Sequence, residues 1–154
     1  MKIALFANTD WYLYNFRLGL ARALRDAGNE VFMLSPKGRY RELLEREFLW
    51  REINLGGGSR GVFKNVAAVR RVRDVYRELR PDLVHHFTIK CVLFGGLAAR
   101  LQRIPAVHAV TGLGHVFTDD RFLNRIARPF VRVAYRQVFN GNCQTIFQNE
   151  ENRE

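Results

Sequence analysis

Asn8-Thr9-Asp10-Trp11 sets polar side chains beside an indole, in a stretch that can grip a polyhydroxylated ligand. Its hydroxyl and amide groups would hydrogen-bond, with Trp11 or Tyr12 stacking on a sugar face. The same residues can also be architectural, with Asp10 capping a helix and Trp11 filling a core. A second stretch, His85-His86-Phe87-Thr88-Ile89-Lys90, joins two imidazoles to a hydroxyl and an ammonium suited to a phosphate or carboxylate. If this stretch is a strand end, its alternation puts His85 and His86 on opposite faces. One of them can then face a cleft while the other packs under a helix. A third, Thr111-Gly112-Leu113-Gly114-His115, offers a tight glycine turn with free backbone N–H groups and an imidazole that titrates near neutrality. A plain strand-to-helix turn looks much the same.

These stretches need elements to hold them, and the sequence supplies an orderly set. Ile3–Ala7 is a short apolar run stopped by polar residues, as a buried strand would be. Leu13, Phe16, Leu20 and Leu24 then recur at helical spacing until Gly28-Asn29, which tolerate positive φ and end the helix. A strand is expected at 30–34, a short charged helix at 40–47 and a further strand at 50–55. Beyond the glycine-rich stretch 56–61, Val66, Val69, Val72, Tyr76 and Leu79 mark a long amphipathic helix that Pro81 stops. Strand-like 83–87, helix-like 92–101 with Gly95-Gly96 inside it, and strand-like 106–110 follow. A last helical stretch at 122–139, where Pro129 would introduce a kink, precedes a strand at 145–148.

Strands that alternate with helices imply parallel pairing through helical crossovers. The expected fold is therefore a Rossmann-like, doubly wound α/β sheet with helices on both faces, occupying residues 1–154 as one domain. Ligands of such sheets sit at the carboxyl ends of the strands, which is where the three chemical stretches fall. The first strand-end loop lacks G-x-G-x-x-G, which argues against an NAD or FAD enzyme.

The 154 residues suit one domain, and 47% hydrophobic with 26% charged residues is a globular composition. Lys and Arg number 25 against 15 Asp and Glu, a formal net charge of +10 that favours polyanionic partners without choosing among them. Two cysteines, Cys91 and Cys143, make no disulfide framework and have no metal-ligand spacing, so no metal or resident cofactor is expected. No apolar run approaches the roughly 20 residues of a membrane span, and a cytoplasmic protein is expected. Arg121, Arg125, Arg128, Arg132 and Arg136 line one face of the last helix, a solvated face or one that lies against anionic lipid. Charge alone favours nucleic acid. With no recognition-helix signature, aromatic RNA-binding pattern or zinc ligands, no nucleic-acid partner is expected.

The order of these segments resembles a known family. Lys2-Ile3-Ala4-Leu5-Phe6, Asn15-Phe16-Arg17, Leu20-Ala21-Arg22-Ala23-Leu24 and Ala27-Gly28-Asn29-Glu30-Val31 are similar to the opening of family 4 retaining glycosyltransferases of the GT-B architecture. Arg80-Pro81-Asp82-Leu83-Val84 through Lys90, Gly95 to Arg100, Ile104 to Gly114 and Ile146-Phe147-Gln148-Asn149 resemble later segments of the same first half. The likeness spans the whole chain and is nearest to the subgroup that builds bacterial surface polysaccharides, including lipopolysaccharide, or lipid-linked oligosaccharides. It implies sugar transfer from a nucleotide-sugar with retention. The acceptor, a saccharide or a polyprenyl-diphosphate-linked one, would bind mainly this half. The nucleotide-sugar would bind a C-terminal domain, and the chain stops where that domain should begin. The resemblance thus implies half an enzyme, inactive alone, with a face that could drive self-association.

It also draws Asn15 and Arg17 into the expected substrate-binding set, beside Asn8, Thr9, Asp10, Trp11, His86, Thr88, Lys90, Thr111, Gly112, Gly114 and His115. Thr111 stands where many members carry a histidine that contacts the reacting sugar, and Asn8–Trp11 replaces a glycine-rich loop. No catalytic residue is assigned. Non-catalytic docking on a partner or on a membrane, peripherally at its inner face, is the alternative reading.

Overall fold

A computed structural model describes residues 1–55, 62–110, 136–139 and 142–147. Apolar runs bounded by turn residues become strands β1 (Lys2–Phe6), β2 (Glu30–Ser35), β3 (Leu49–Glu52), β4 (Leu83–Phe87), β5 (Ala106–Val110) and β6 (Cys143–Phe147). They form one six-stranded sheet in the order β3-β2-β1-β4-β5-β6, and every neighbouring pair is parallel. The expected Rossmann-like sheet is therefore the observed one. Its order reverses between β1 and β4, because the connections leave those two strands in opposite directions.

Both faces of the sheet are covered, which explains why the strands read as continuous apolar runs. On one face Ala4, Phe6, Phe32, Leu34 and Val84 pack beneath Val72, Tyr76 and Leu79 of α4 (Val62–Leu79) and Cys91, Ala98 and Ala99 of α5 (Ile89–Leu101). On the other, Ile3, Leu5, Ala7, Val31, Met33 and Phe87 meet Leu13, Ala21, Leu44 and Phe48. Odd and even positions of β1 thus serve opposite layers, as a period of two requires.

The first helical stretch departs from its expected phase. It runs as α1 (Asp10–Tyr12), a π-helical turn (Leu13–Arg17) and α2 (Leu18–Asp26). A π-turn bonds i to i+5 and absorbs an extra residue, rotating everything beyond it relative to an unbroken helix. The buried apolar positions are consequently Leu13 and Ala21, while Phe16 is 56% and Leu20 36% exposed. The even helical stripe expected over Leu13, Phe16, Leu20 and Leu24 is corrected accordingly. The helix ends as expected at Gly28, whose φ of +82° is the left-handed conformation glycine adopts without strain. Val66 of α4 also departs from its expected core stripe and is exposed, whereas Ala68 is buried.

Beneath α4 and α5 the sheet buries a polar chain. His86 and His108 occupy paired register positions on β4 and β5, and their Nδ1 atoms lie 3.0 Å apart. The Tyr76 hydroxyl is 2.7 Å from His86 Nε2. If the hydroxyl donates to Nε2, His86 carries its proton on Nδ1 and donates it to His108, so that each contact has one donor and one acceptor. Gly95 of α5 lies against this stack, since a Cβ there would collide with the His86 ring, and one at Gly96 would meet Val138 and His108. The paired glycines inside a helix are thereby explained by close approach rather than by a turn. A Gly95→Ala variant is expected to lose about 1–3 kcal/mol through overpacking, read as a lowered midpoint in urea unfolding.

Burial also keeps both imidazoles neutral. It pushes His108 down to about 4 and His86 well below its ordinary value, the latter helped by the two neighbouring histidines. The unfolded chain takes up these protons near pH 6.5, so between there and about pH 4 it binds more protons than the folded one. This contribution is thus fully present above about pH 6.5 and is lost as pH falls toward the folded values. Thermal melting should show a stability loss across that window, and His108→Gln should make it shallower without abolishing it, since His85 and His86 are depressed too.

Candidate functional site

The crevice beyond the carboxyl ends of β1 and β4 is where an open sheet of this order binds ligands. From β1 the chain enters the loop that carries Asn8 and Thr9, both exposed. Thr9 is extended, with φ −149° and ψ 149°, and its hydroxyl accepts the Tyr12 N–H at 3.1 Å. It is therefore Thr9, not Asp10, that caps the helix.

Asp10 is 5% exposed and bridges two loops instead. One carboxylate oxygen accepts the Trp11 N–H at 2.8 Å, and the other accepts the Tyr40 N–H at 2.8 Å, across from the segment after β2. Gly38 gives it room, because any Cβ there would collide with the carboxylate. Asp10 thus fastens the rim of the crevice rather than presenting itself to a ligand. Trp11 is 46% exposed, so it does not fill the core. Its ring meets Phe16 edge-on at 5.3 Å.

In a regular helix, residues five apart point about 140° away from one another. The π-turn overcomes this separation twice. It brings Phe16 against Trp11, and it brings Arg17 to Tyr12, whose hydroxyl accepts from Arg17 Nη2 at 2.7 Å. Asn15 folds back on the same turn, its side-chain amide donating to the Trp11 carbonyl at 2.9 Å. The Arg17 guanidinium carbon lies 4.5 Å from the Phe87 ring centroid and 5.2 Å from that of Tyr12. One side chain thus spans the crevice from the helix after β1 to the last residue of β4, by cation–π contact.

Immediately beyond Phe87, Thr88 has φ +67° and ψ 149°, a combination nearly confined to glycine and worth about 1–3 kcal/mol of strain. Thr88 precedes α5, and Lys90 is exposed in the first turn of that helix. Cys91 beneath it is fully buried, and burial pushes its thiol up to about 12, so it is no nucleophile. His85, on the same face as Phe87, stacks on it at 4.1 Å. Burial first, then the Arg17 charge and His108, hold its imidazole down at about 4, so it is neutral at physiological pH. Arg17 Nε and His85 Nε2 are buried with no hydrogen-bond partner among the described residues, as is Arg73 Nε on α4, and Thr88 Oγ1 has only the Cys91 thiol beside it.

Arg17 and Thr88 are thus gathered at the crevice, with Lys90 on the first turn of α5 and Asn8, Thr9, Trp11 and Asn15 along the neighbouring loop and turn. His86 is corrected, since it is fully buried under α4 and α5 and cannot touch a ligand in the crevice. Thr111, Gly112, Gly114 and His115 lie outside the described residues, as does most of the arginine-bearing stretch 122–135. Among the described residues no group of three or more metal-ligating side chains occurs. No helix among them is long and apolar enough to cross a membrane. Sequence periodicity missed Tyr12 and Phe87 as partners of Arg17, because contacts five residues apart carry no signal at helical spacing. The Asn15-Phe16-Arg17 motif was the pointer that existed.

With this geometry in place, the comparisons decide the family. A glycosyl transferase 4-like domain matches residues 15–149. The chain belongs to that family. It is 28% identical over 158 residues to N,N′-diacetylbacillosaminyl-diphospho-undecaprenol alpha-1,3-N-acetylgalactosaminyltransferase of Campylobacter jejuni. That alignment covers 100% of the chain and 42% of the relative, so this glycosyl transferase 4-like chain spans less than half of the relative's length. Among solved structures, MurG of Acinetobacter baumannii superposes with a TM-score of 0.59 at 24% identity, over 71% of this chain and 33% of MurG. The UDP-GlcNAc 2-epimerase of Methanocaldococcus jannaschii does so with a TM-score of 0.55 at 17% identity, over 91% and 42%. These likenesses establish the fold, and they include an enzyme with a different reaction.

The rim depends on one carboxylate, which gives a direct test. Asp10→Ala leaves the Tyr40 N–H without its partner and should cost about 1–3 kcal/mol of stability. Amide hydrogen exchange should quicken at Tyr40, while the distant pairing of β5 with β6 stays protected.

Proposed function

We propose that this chain is the acceptor-binding half of a glycosyltransferase that moves a sugar from a nucleotide-sugar to a saccharide or lipid-linked acceptor, with retention of configuration. Family membership supports the reaction class. The observation that carries the acceptor side is the crevice itself, an aromatic and cationic groove at the switch point of the sheet whose first loop has no glycine-rich phosphate cradle. The Campylobacter relative acts, by its name, on a diphospho-undecaprenol-linked sugar. A polyprenyl-diphosphate-linked acceptor for this chain is the corresponding proposal, and bacterial surface polysaccharide assembly the corresponding setting.

Such an acceptor is reached at the cytoplasmic face of a membrane. The exposed side chains of Trp11, Phe16 and Leu20 suit that approach, since aromatic and apolar residues partition well at a lipid interface. The donor nucleotide-sugar is assigned to a second, C-terminal domain. In transfer with retention, charge develops on the leaving diphosphate and on the anomeric carbon, so the protein contributes orientation and electrostatic stabilisation. Trp11 can stack on an acceptor sugar while Asn8 and Thr9 hydrogen-bond its hydroxyls. Lys90 supplies fixed positive charge to the same end of the sheet. His85, held neutral by its burial, gives no general acid there at pH 7.

A transfer assay tests this reading. Nucleotide-sugars and a polyprenyl-diphosphate-linked acceptor are supplied to the chain alone and to the chain mixed with a C-terminal donor domain of the family. Product is expected only in the mixture. Turnover by the chain alone, or none in any mixture, would overturn the acceptor-half assignment.

A further inference from the structure

Arg17 is held in place far more tightly than its hydrogen bonding accounts for. Its guanidinium is stacked over Phe87 and Tyr12, with one N–H donated to the Tyr12 hydroxyl. The contact to the Phe16 carbonyl, at 3.5 Å, is too long to satisfy a second. Nε is buried without a partner, and among the described residues no carboxylate pairs with this side chain. A guanidinium has five N–H donors in a rigid fork, and taking a cation partly out of water without a counter-charge is unfavourable. The nearby Thr88 hydroxyl is also buried, with only the Cys91 thiol, a weak partner, beside it, on a strained backbone at the same end of β4.

These observations share a physical explanation: the counter-charge comes from a ligand. We propose that Arg17 is the anchor of a diphosphate subsite in the crevice between β1 and β4, with Thr88 and Lys90 as flanking donors. A phosphate group fits the fork bidentately, and it would satisfy donors that the protein leaves open. The aromatic stack fixes the plane of the guanidinium before the ligand arrives, which lowers the entropic cost of binding. The π-turn is what puts Arg17 there, since an unbroken helix would aim it away from Tyr12. The inference rests on the acceptor-half reading for the position of the groove, but the diphosphate could belong to a lipid-linked acceptor or to a nucleotide.

Calorimetric titration of the full chain with inorganic pyrophosphate, geranyl diphosphate and uridine diphosphate tests the subsite. Pyrophosphate binding should weaken at least tenfold in Arg17→Gln and be partly kept in Arg17→Lys, which preserves charge but not the fork. Arg77→Gln removes the same charge from the last turn of α4, at the opposite end of the sheet, and should change binding less than twofold. Arg17→Gln also loses the stack on Phe87 and Tyr12 and the hydrogen bond to the Tyr12 hydroxyl, so it should melt lower, and its titration is run well below its own Tm, where it is folded. Tighter geranyl diphosphate than uridine diphosphate places the group on the acceptor, and the reverse order places it on a nucleotide. Binding unchanged in Arg17→Gln, no binding by the parent chain at millimolar pyrophosphate, or an equal loss of binding in Arg77→Gln would overturn the proposal. Failure of transfer in the mixed assay with pyrophosphate binding intact would instead remove the acceptor-half reading.

Discussion

The sheet must be covered on both faces, and most of the molecule follows from that requirement. A parallel strand can be joined to its neighbour only through a crossover, and each crossover carries a helix to one face or the other. Here the connections that leave β1 and lead into β4 run to opposite faces. Their helices cannot both close over the gap between the two strands, so an open crevice remains at the carboxyl ends. The layer built on Ala4, Phe6 and Val84 and the layer built on Ile3, Leu5 and Phe87 fix the strands from either side. The crevice is thus a consequence of core packing and needs no special sequence to exist. Its chemistry is decided by what stands on its rim.

The two histidines of β4 show how one strand can serve packing and site at once. His86 turns toward α4 and α5, where Tyr76 and His108 complete a buried chain that ties β4 to β5. His85 turns the other way, against Phe87 and near the charge of Arg17. Burial keeps both neutral, for the same reason and with different results. On the first face neutrality lets the hydrogen-bonded chain persist. On the second it spares Arg17 a neighbouring positive charge. A protonated His85 would repel the guanidinium across the short stack on Phe87, so the depressed pKa and the placement of Arg17 support each other.

The sheet was legible in the sequence because its evidence is redundant. Apolar runs, glycine and proline stops and the resemblance all mark the same strands, and an error of a residue or two at an end changes nothing. The alternation that set His85 and His86 on opposite faces was equally safe, although which of the two is sealed away depends on helices that alternation does not locate. The π-turn was not legible. Its extra residue moves Phe16 and Leu20 from the expected core to the surface, and a window tuned to 3.6 residues averages over such a step. Asp10 was misread for a related reason. A short acidic residue before a helix is a good cap locally, but Thr9 took that role, and the carboxylate was spent on Tyr40, thirty residues away. Long-range partners of this kind are invisible until the loops are in space.

A folded chain hydrogen-bonds nearly all its buried polar atoms, and its backbone rarely adopts the Thr88 conformation outside glycine. Both costs fall at the end of β4, next to an arginine aligned by a turn that itself departs from regular helix. Elsewhere in the described chain Gly28 takes a positive φ at a helix end, Arg80 and Arg103 do so just beyond α4 and α5, and Arg73 Nε on α4 is also buried without a partner. What sets the switch point of the sheet apart is that a strained backbone, an irregular turn and an unpaired guanidinium meet at one open crevice, a surface whose polar groups are completed when something polar enters it.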